Sequence, residues 1–172
     1  MSLARLAAEG LALALVLAPL AACSPPAADA AAPVRWEARS LADGSALRFE
    51  AGEQAILVNV WASWCEPCRR EMPSLEAAHR ALAPRGIRVV GINVDRDALL
   101  ARELSRKLGL TFDNVSDPEQ AVAMGALKVA RLPTTLAIGR DGRVRWREES
   151  ARDWAEPARL AWIERSLAPA EP

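Results

Sequence analysis

Ile56-Leu57-Val58-Asn59-Val60 runs directly into Trp61-Ala62-Ser63-Trp64-Cys65-Glu66-Pro67-Cys68-Arg69-Arg70-Glu71-Met72-Pro73, and this stretch decides the fold. Its first five residues are apolar except for Asn59, the pattern of a strand buried on both faces. Beyond Cys65, the positions Cys68, Met72, Leu75, His79 and Leu82 recur at four- and three-residue spacing, which is one face of a helix. The two cysteines therefore stand where a strand turns into a helix. The first N–H groups of a helix are unpaired and carry partial positive charge, which favours a nearby thiolate. A thiolate is the form that attacks disulfides, so Cys65 occupies the place of a reactive cysteine. Pro67 is tolerable in the first turn, whereas Pro73 is interior and predicts a kink. His79 falls about three turns from Cys65 and reads as a helix-edge residue rather than a catalytic one.

A C-x-x-C pair has other uses. Half of a four-ligand zinc site needs two further ligands, yet the only other cysteine is Cys23 and the only histidine is His79. Covalent haem attachment wants His after the second cysteine, and here that residue is Arg69. An inert structural disulfide would restrain little, because it closes a two-residue loop. A dithiol that opens and closes, needing neither metal nor other cofactor, is the reading that survives.

At 172 residues the chain holds one domain with a sizeable core. A hydrophobic content of 51% with 26% charged residues is globular rather than disordered. Acidic and basic residues balance at 22 each, so nothing argues for nucleic acid or a charged partner. Six Trp beside two Phe and no Tyr has no explanation at the level of sequence. Residues 1–22 read as a signal peptide: Arg5, then an apolar Ala/Leu run too short to span a bilayer comfortably. The run ends in Leu20-Ala21-Ala22-Cys23, which resembles the bacterial lipobox, where the cysteine is lipidated. Ordinary cleavage at Ala28-Asp29-Ala30 is the competing reading; the lipobox is preferred because its match is complete and it gives Cys23, otherwise a third thiol without a partner, a role. Residues 23–33 form a Pro/Ala-rich tether and residues 34–172 the folded domain.

Along that domain, Asp43-Gly44 marks a turn between two short strands. Residues 87–92 read as a second buried strand after Pro84-Arg85-Gly86. Asp95 or Asp97 is expected to cap the next helix, which turns Leu100, Leu104 and Leu108 to one face and stops at Gly109. Asp117-Pro118-Glu119-Gln120 reads as a capping box opening a short helix that Gly125 closes. Residues 134–138 and 143–146 flank Arg140-Asp141-Gly142 as a hairpin. There Val144 and Trp146 share a face, opposite a solvated edge of Arg143, Arg145 and Arg147. A last helix from about Pro157 to Leu167 buries Leu160, Ile163 and Leu167. The expected class is α/β, a central mixed sheet flanked by helices with an N-terminal β-hairpin extension.

With the motif and this order in view, residues 55–167 resemble the thioredoxin superfamily. Within it the chain resembles the membrane-tethered TlpA/ResA-type thiol–disulfide oxidoreductases of bacteria, above all in residues 61–73 and in Leu132-Pro133-Thr134-Thr135. The resemblance implies a cis peptide before Pro133, packed beside the cysteine pair, and a Cys65–Cys68 redox disulfide. It leaves the Leu132 backbone free to pair with an extended substrate segment, as an added strand would. Trp64 is expected beside it, and Glu66 and Pro67 form the active-site loop.

Two departures from thioredoxin matter. Asn59 stands where thioredoxin has a buried proton-moving Asp, and Asn cannot titrate. Glu71, three residues after Cys68, is expected to take that role as the proton acceptor when Cys68 resolves a mixed disulfide. Its alternative is an exposed first-turn Glu favoured by the helix dipole. Glu66 replaces a Gly and opposes the Cys65 thiolate, partly offset by Arg69 and Arg70. Disfavouring the reduced thiolate favours the disulfide, so the pair should be a reductant. The resemblance implies protein disulfides outside the cytoplasm as substrates, often in apocytochrome c maturation, and a membrane thiol as electron donor. The expected state is a lipid-anchored periplasmic monomer. The rivals are an oxidase of the same fold and a Cu(I)-handling thiol protein, which would want further His or Met ligands. A peroxidase is weaker still.

Overall fold

The computed structural model describes residues 32–50, 52 and 54–168. The expected leader, and Cys23 with most of the tether, lie outside the described residues. Among the described residues no helix is long and apolar enough to cross a membrane.

Seven strands form one mixed sheet: β1 (Trp36–Ser40), β2 (Ala46–Phe49), β3 (Ala55–Trp61), β4 (Ile87–Asn93), β5 (Asp113–Ser116), β6 (Thr134–Ile138) and β7 (Val144–Glu148). Their order is β2-β1-β5-β4-β3-β6-β7. The strands β3, β4 and β5 run parallel, and the other pairings are antiparallel. Three helices complete the fold: α1 (Glu66–Leu82), α2 (Ala98–Leu108) and α3 (Pro157–Leu167). β3 is buried along its whole length, as its apolar run requires of a strand flanked on both sides. The N-terminal hairpin forms as expected and joins the sheet, because Arg39 and Ser40 pair with β5. α1 and α3 pack on each other.

Several local expectations are revised. α1 continues unbroken through Pro73, whose ring lies on the exposed face. On α2 the buried residue is Ala101, flanked by half-buried Leu104 and Leu108, while Leu99 and Leu100 are about half exposed. Ala101, Leu104 and Leu108 keep i, i+3, i+7 spacing, and Leu100 falls one step off that narrow stripe. Asp97 is the cap, accepting from Leu99 N at 2.9 Å. Asp95 is committed elsewhere. The segment after Asp117 is not a capping box. The chain loops at Gln120, with φ +57°, so the Asp117 carboxylate meets the N–H groups of Val122 and Ala123, five and six residues on. The turn there, Ala121–Ala126, is a π-helix with Gly125 inside it rather than closing it. Arg147 is not merely solvated: its guanidinium donates to the carbonyls of Leu127 and Lys128 at 2.7 and 2.8 Å.

The tryptophans now have places. Trp36 stacks on Phe49 across the N-terminal hairpin, and Trp146 packs between Trp154 and Trp162. Trp61, fully buried, donates its indole N–H to Asn114 Oδ1 at 3.0 Å. Gly91 lies under that bond. A Cβ there would meet Asn114 Oδ1, and Trp61 Nε1 at 2.9 Å. Gly91→Ala should therefore cost about 1–3 kcal/mol by overpacking. Urea unfolding checks this, and an unchanged midpoint would contradict the packing described.

Candidate active site

Cys65 is the N-cap of α1, with extended backbone, and its sulfur accepts from Cys68 N at 3.3 Å. The two cysteines form a disulfide with S–S 2.06 Å and Cα–Cα 5.3 Å. They are unequal in access, since Cys65 is 6% exposed and Cys68 0%. Only one sulfur of the pair can be approached by another molecule. The approach is held from behind by Asp95, whose buried carboxylate takes the Ser63 backbone N–H at 2.9 and 3.2 Å and Asn93 Nδ2 at 2.8 Å. Sequence reasoning placed Asp95 at a helix cap and missed this role. The partners are 32 residues apart, and no local pattern announces them.

Cys65 opens into a groove of about 490 Å³. Trp64, Glu66, Pro67 and Leu132, all expected at the site, line it together with Val94, Ala123, Met124, Val129 and Arg131, which were not. Trp64 is 69% exposed and Met124 56%, so two large apolar side chains stand at the rim. The Leu132–Pro133 peptide is cis, and Pro133 is buried behind Leu132. β6 begins at Thr134, so both residues precede the ladder of paired backbone groups. Glu66 forms an i,i+4 ion pair with Arg70 on the exposed face of α1, which tempers its charge beside Cys65.

Glu71 is not an exposed first-turn carboxylate; it is 3% exposed. It lies away from the groove, at the back of a shallow cleft lined by Arg70, Pro73, Ser74, Ala151, Arg152 and Asp153. Its Oε1 accepts from Asn59 Nδ2 at 2.8 Å, and its Oε2 from Trp154 Nε1 at 2.9 Å and Arg152 N at 3.1 Å. Burial raises its pKa above the ordinary carboxylate value, and the charge of Glu148 adds to this; the three donors oppose the shift without cancelling it. Among the described residues no group of three or more His, Cys, Asp or Glu side chains is placed to hold a metal. His79 sits at the helix edge with its ring against Phe112.

A carboxyl whose pKa is raised on folding binds more protons in the native than in the unfolded state. Its contribution is full below the unfolded value, near 4.5, and is lost as pH rises through the folded one. The stability difference between the parent and Glu71→Gln should thus move in favour of the Gln variant as pH rises above about 4.5. Urea titrations of both proteins across that range check it; a difference moving the other way contradicts the environment described.

The chain is 33% identical over 92 residues to the thiol-disulfide oxidoreductase ResA of Geobacillus kaustophilus, covering 54% of this chain and 52% of that protein. It is 29% identical over 107 residues to ResA of Bacillus subtilis, covering 60% and 59%. The chain thus spans about half the length of the curated relatives it matches. A thiol:disulfide interchange protein of Chlorobium tepidum, named DsbE, superposes with a TM-score of 0.70 at 21% identity, over 80% of this chain and 96% of that one. The fold is therefore thioredoxin-like. The AhpC/TSA family model matches residues 28–147, well over half of the sequence, and the chain belongs to that family.

Proposed function

We propose that this protein is an extracytoplasmic thiol–disulfide oxidoreductase that reduces protein disulfides by cycling Cys65 and Cys68 between dithiol and disulfide. The single observation that carries the reading is the asymmetry of the pair: Cys65 at the floor of an apolar groove, Cys68 sealed beneath it. A substrate disulfide lies in the groove against Trp64 and the Leu132-Pro133 backbone. The Cys65 thiolate attacks one of its sulfurs and the other leaves as a thiolate, which takes a proton from water. Cys68 gives its proton to Glu71 and attacks Cys65 sulfur, so the Cys65–Cys68 bond forms as the mixed disulfide breaks. The substrate departs with both sulfurs reduced, and the protein holds the disulfide. Two electrons have passed to the substrate.

Recharging then requires a thiol donor at the membrane, because an exported compartment has no cytoplasmic thioredoxin pool. The same reading places the protein as a monomer in the periplasm, lipid-anchored through Cys23, with apocytochrome c among its substrates. Support for reduction rather than oxidation comes from Glu66, which disfavours a Cys65 thiolate.

The reduction potential of Cys65–Cys68, equilibrated in thiol buffers with Trp fluorescence as readout, should lie below about −230 mV; a value above about −150 mV makes the protein an oxidase instead. Cys68→Ser should trap a mixed disulfide with substrate, and Cys65→Ser should not. Labelled palmitate should enter the full chain in bacterial cells but not Cys23→Ala, and equal labelling removes the anchor. Glu71→Gln should slow the resolving step about 100-fold while leaving the first attack unaltered, and an unchanged rate removes its proposed role.

A further inference from the structure

Among the described residues both oxygens of Glu71 face hydrogen-bond donors only: Asn59 Nδ2, Trp154 Nε1 and the Arg152 backbone N–H. That arrangement suits a carboxylate. A protonated carboxyl carries an O–H that needs an acceptor, and neither an indole nor a backbone N–H accepts. Of the three partners only the Asn59 carboxamide also holds an acceptor, and it is turned away. Its Oδ1 is buried and has no hydrogen-bond partner among the described residues. Its Nδ2 donates at the same time to Thr135 Oγ1 at 2.9 Å, and a hydroxyl can either accept or donate. A half-turn of the carboxamide therefore breaks no bond at Oδ1. It brings Oδ1 against two groups able to donate, the Glu71 carboxyl and the Thr135 hydroxyl. The turn leaves Nδ2 in the unpartnered place, so the amide gains by turning only while Glu71 holds a proton.

We propose that Asn59 is a positioning residue for proton transfer, its carboxamide donating to Glu71 when that group is charged and turning over to accept from it when protonated. This rests on the reading of Glu71 as the acceptor of the Cys68 proton. In that step the Cys68 S–H bond breaks, the proton bonds to Glu71 Oε1, and the electron pair left on sulfur attacks Cys65 Sγ as the bond from Cys65 to the substrate sulfur breaks and that sulfur leaves as a thiolate. The sequence comparison with thioredoxin makes Asn59 a lost acid. Here it is the switchable neighbour of an acid relocated to α1. Because Thr135 follows Pro133 by two residues, the proton on Glu71 is also felt on the strand behind the substrate-binding backbone.

The charged groups around Glu71 are otherwise engaged. Arg70 pairs with Glu66 on α1, and Arg152 pairs with Glu148 of β7 at 3.1 Å. Asp153 receives the Ala155 N–H, and Arg159 of α3 lies over the Trp154 ring at 5.4 Å. Among the described residues no charged side chain donates to the Glu71 carboxylate, which leaves Asn59 and the Trp154 indole as its only side-chain donors.

The test uses the isotope-labelled full chain. Across a pH titration, the Asn59 side-chain NH2 resonances should move with the same midpoint as the Glu71 carboxyl carbon, and their contacts to Thr135 should be lost on the acid side. Resonances that stay fixed while Glu71 titrates overturn the relay and leave the Glu71 reading standing. Asn59→Leu, close in volume and unable to donate or accept, should raise the Glu71 midpoint by about one pH unit, because a bond to a charged group is worth more than one to a neutral group. The resolving rate of a glutathione adduct on Cys65 should follow that shift in its pH profile. A loss of rate equal at all pH values assigns Asn59 a packing role and overturns the proposal. A parent profile identical to that of Glu71→Gln instead defeats the Glu71 reading itself.

Discussion

Glu71 is a buried carboxylate whose side-chain partners are uncharged, and much of the architecture meets at it. Through Asn59 it ties α1 to the central strand β3, and through Trp154 and the Arg152 backbone it ties α1 to the segment before α3. Ser74, three residues further along α1, donates to the Glu71 carbonyl and extends the junction by accepting from Trp154 N. Trp154, so fixed, stacks with Trp146 of β7, against which Trp162 of α3 packs at a tilt. Burying an isolated carboxylate costs several kcal/mol even after relaxation. Three hydrogen bonds to a charged acceptor, about 1.5–3 kcal/mol each, return a sum of the same size. Desolvation stays ahead of the three donors, and the Glu71 pKa lies above the ordinary carboxylate value.

The same device recurs wherever a loop must be held still. Glu76 accepts from both the backbone and hydroxyl of Thr111, at 2.7 and 2.6 Å, and fixes the entry to β5 against α1. Asp95 holds Ser63 in the turn before Cys65, and Asp117 holds the π-turn that carries Ala123 and Met124 into the groove. Each loop offers backbone N–H groups with no strand or helix partner, and a buried acid supplies the acceptor they need. Against its burial, the hydroxyl and N–H of Thr111, and after them Arg80, hold the Glu76 pKa below the ordinary carboxylate value. Glu71 has no such cation, and its pKa is raised. Two acids five residues apart on one helix are thereby shifted in opposite directions from the ordinary carboxylate value.

What the sequence made legible follows from how local its causes are. The buried strand, the thiol at a helix start, the Asp-Gly turn and the Gly109 stop are each written in a few adjacent residues, and each stands where expected. The α2 face went astray because two leucines stand side by side, and a count of apolar positions does not say that small Ala101 takes the centre. The Asp117 turn went astray because the capping box assumes entry at the next residue, whereas the chain first loops at Gln120. The partners of Glu71 lie 12, 81 and 83 residues away, and no periodicity connects them. Its position three residues after Cys68 was readable, but its burial was not. The unexplained tryptophans belong to the same blind spot, since the stack of Trp146, Trp154 and Trp162 exists only after folding.

The spacing of Cys65, Cys68 and Glu71 places the chemistry in order along one helix. Steps of three residues rise about 4.5 Å and rotate about 300°, so each group lies further along the axis and slightly to one side of the last. Cys65 comes first and faces the groove, Cys68 is sealed, and Glu71 comes last and faces the cleft between α1 and the Ala151–Asp153 turn. In the proposed cycle a bound substrate covers the groove at the moment when Cys68 must lose its proton. If that proton had to leave by the groove, the substrate would block its own release. With the acid on the far side, that proposed cycle sends electrons toward the substrate and the proton away from it. The two can then move in one step without either waiting for the groove to empty.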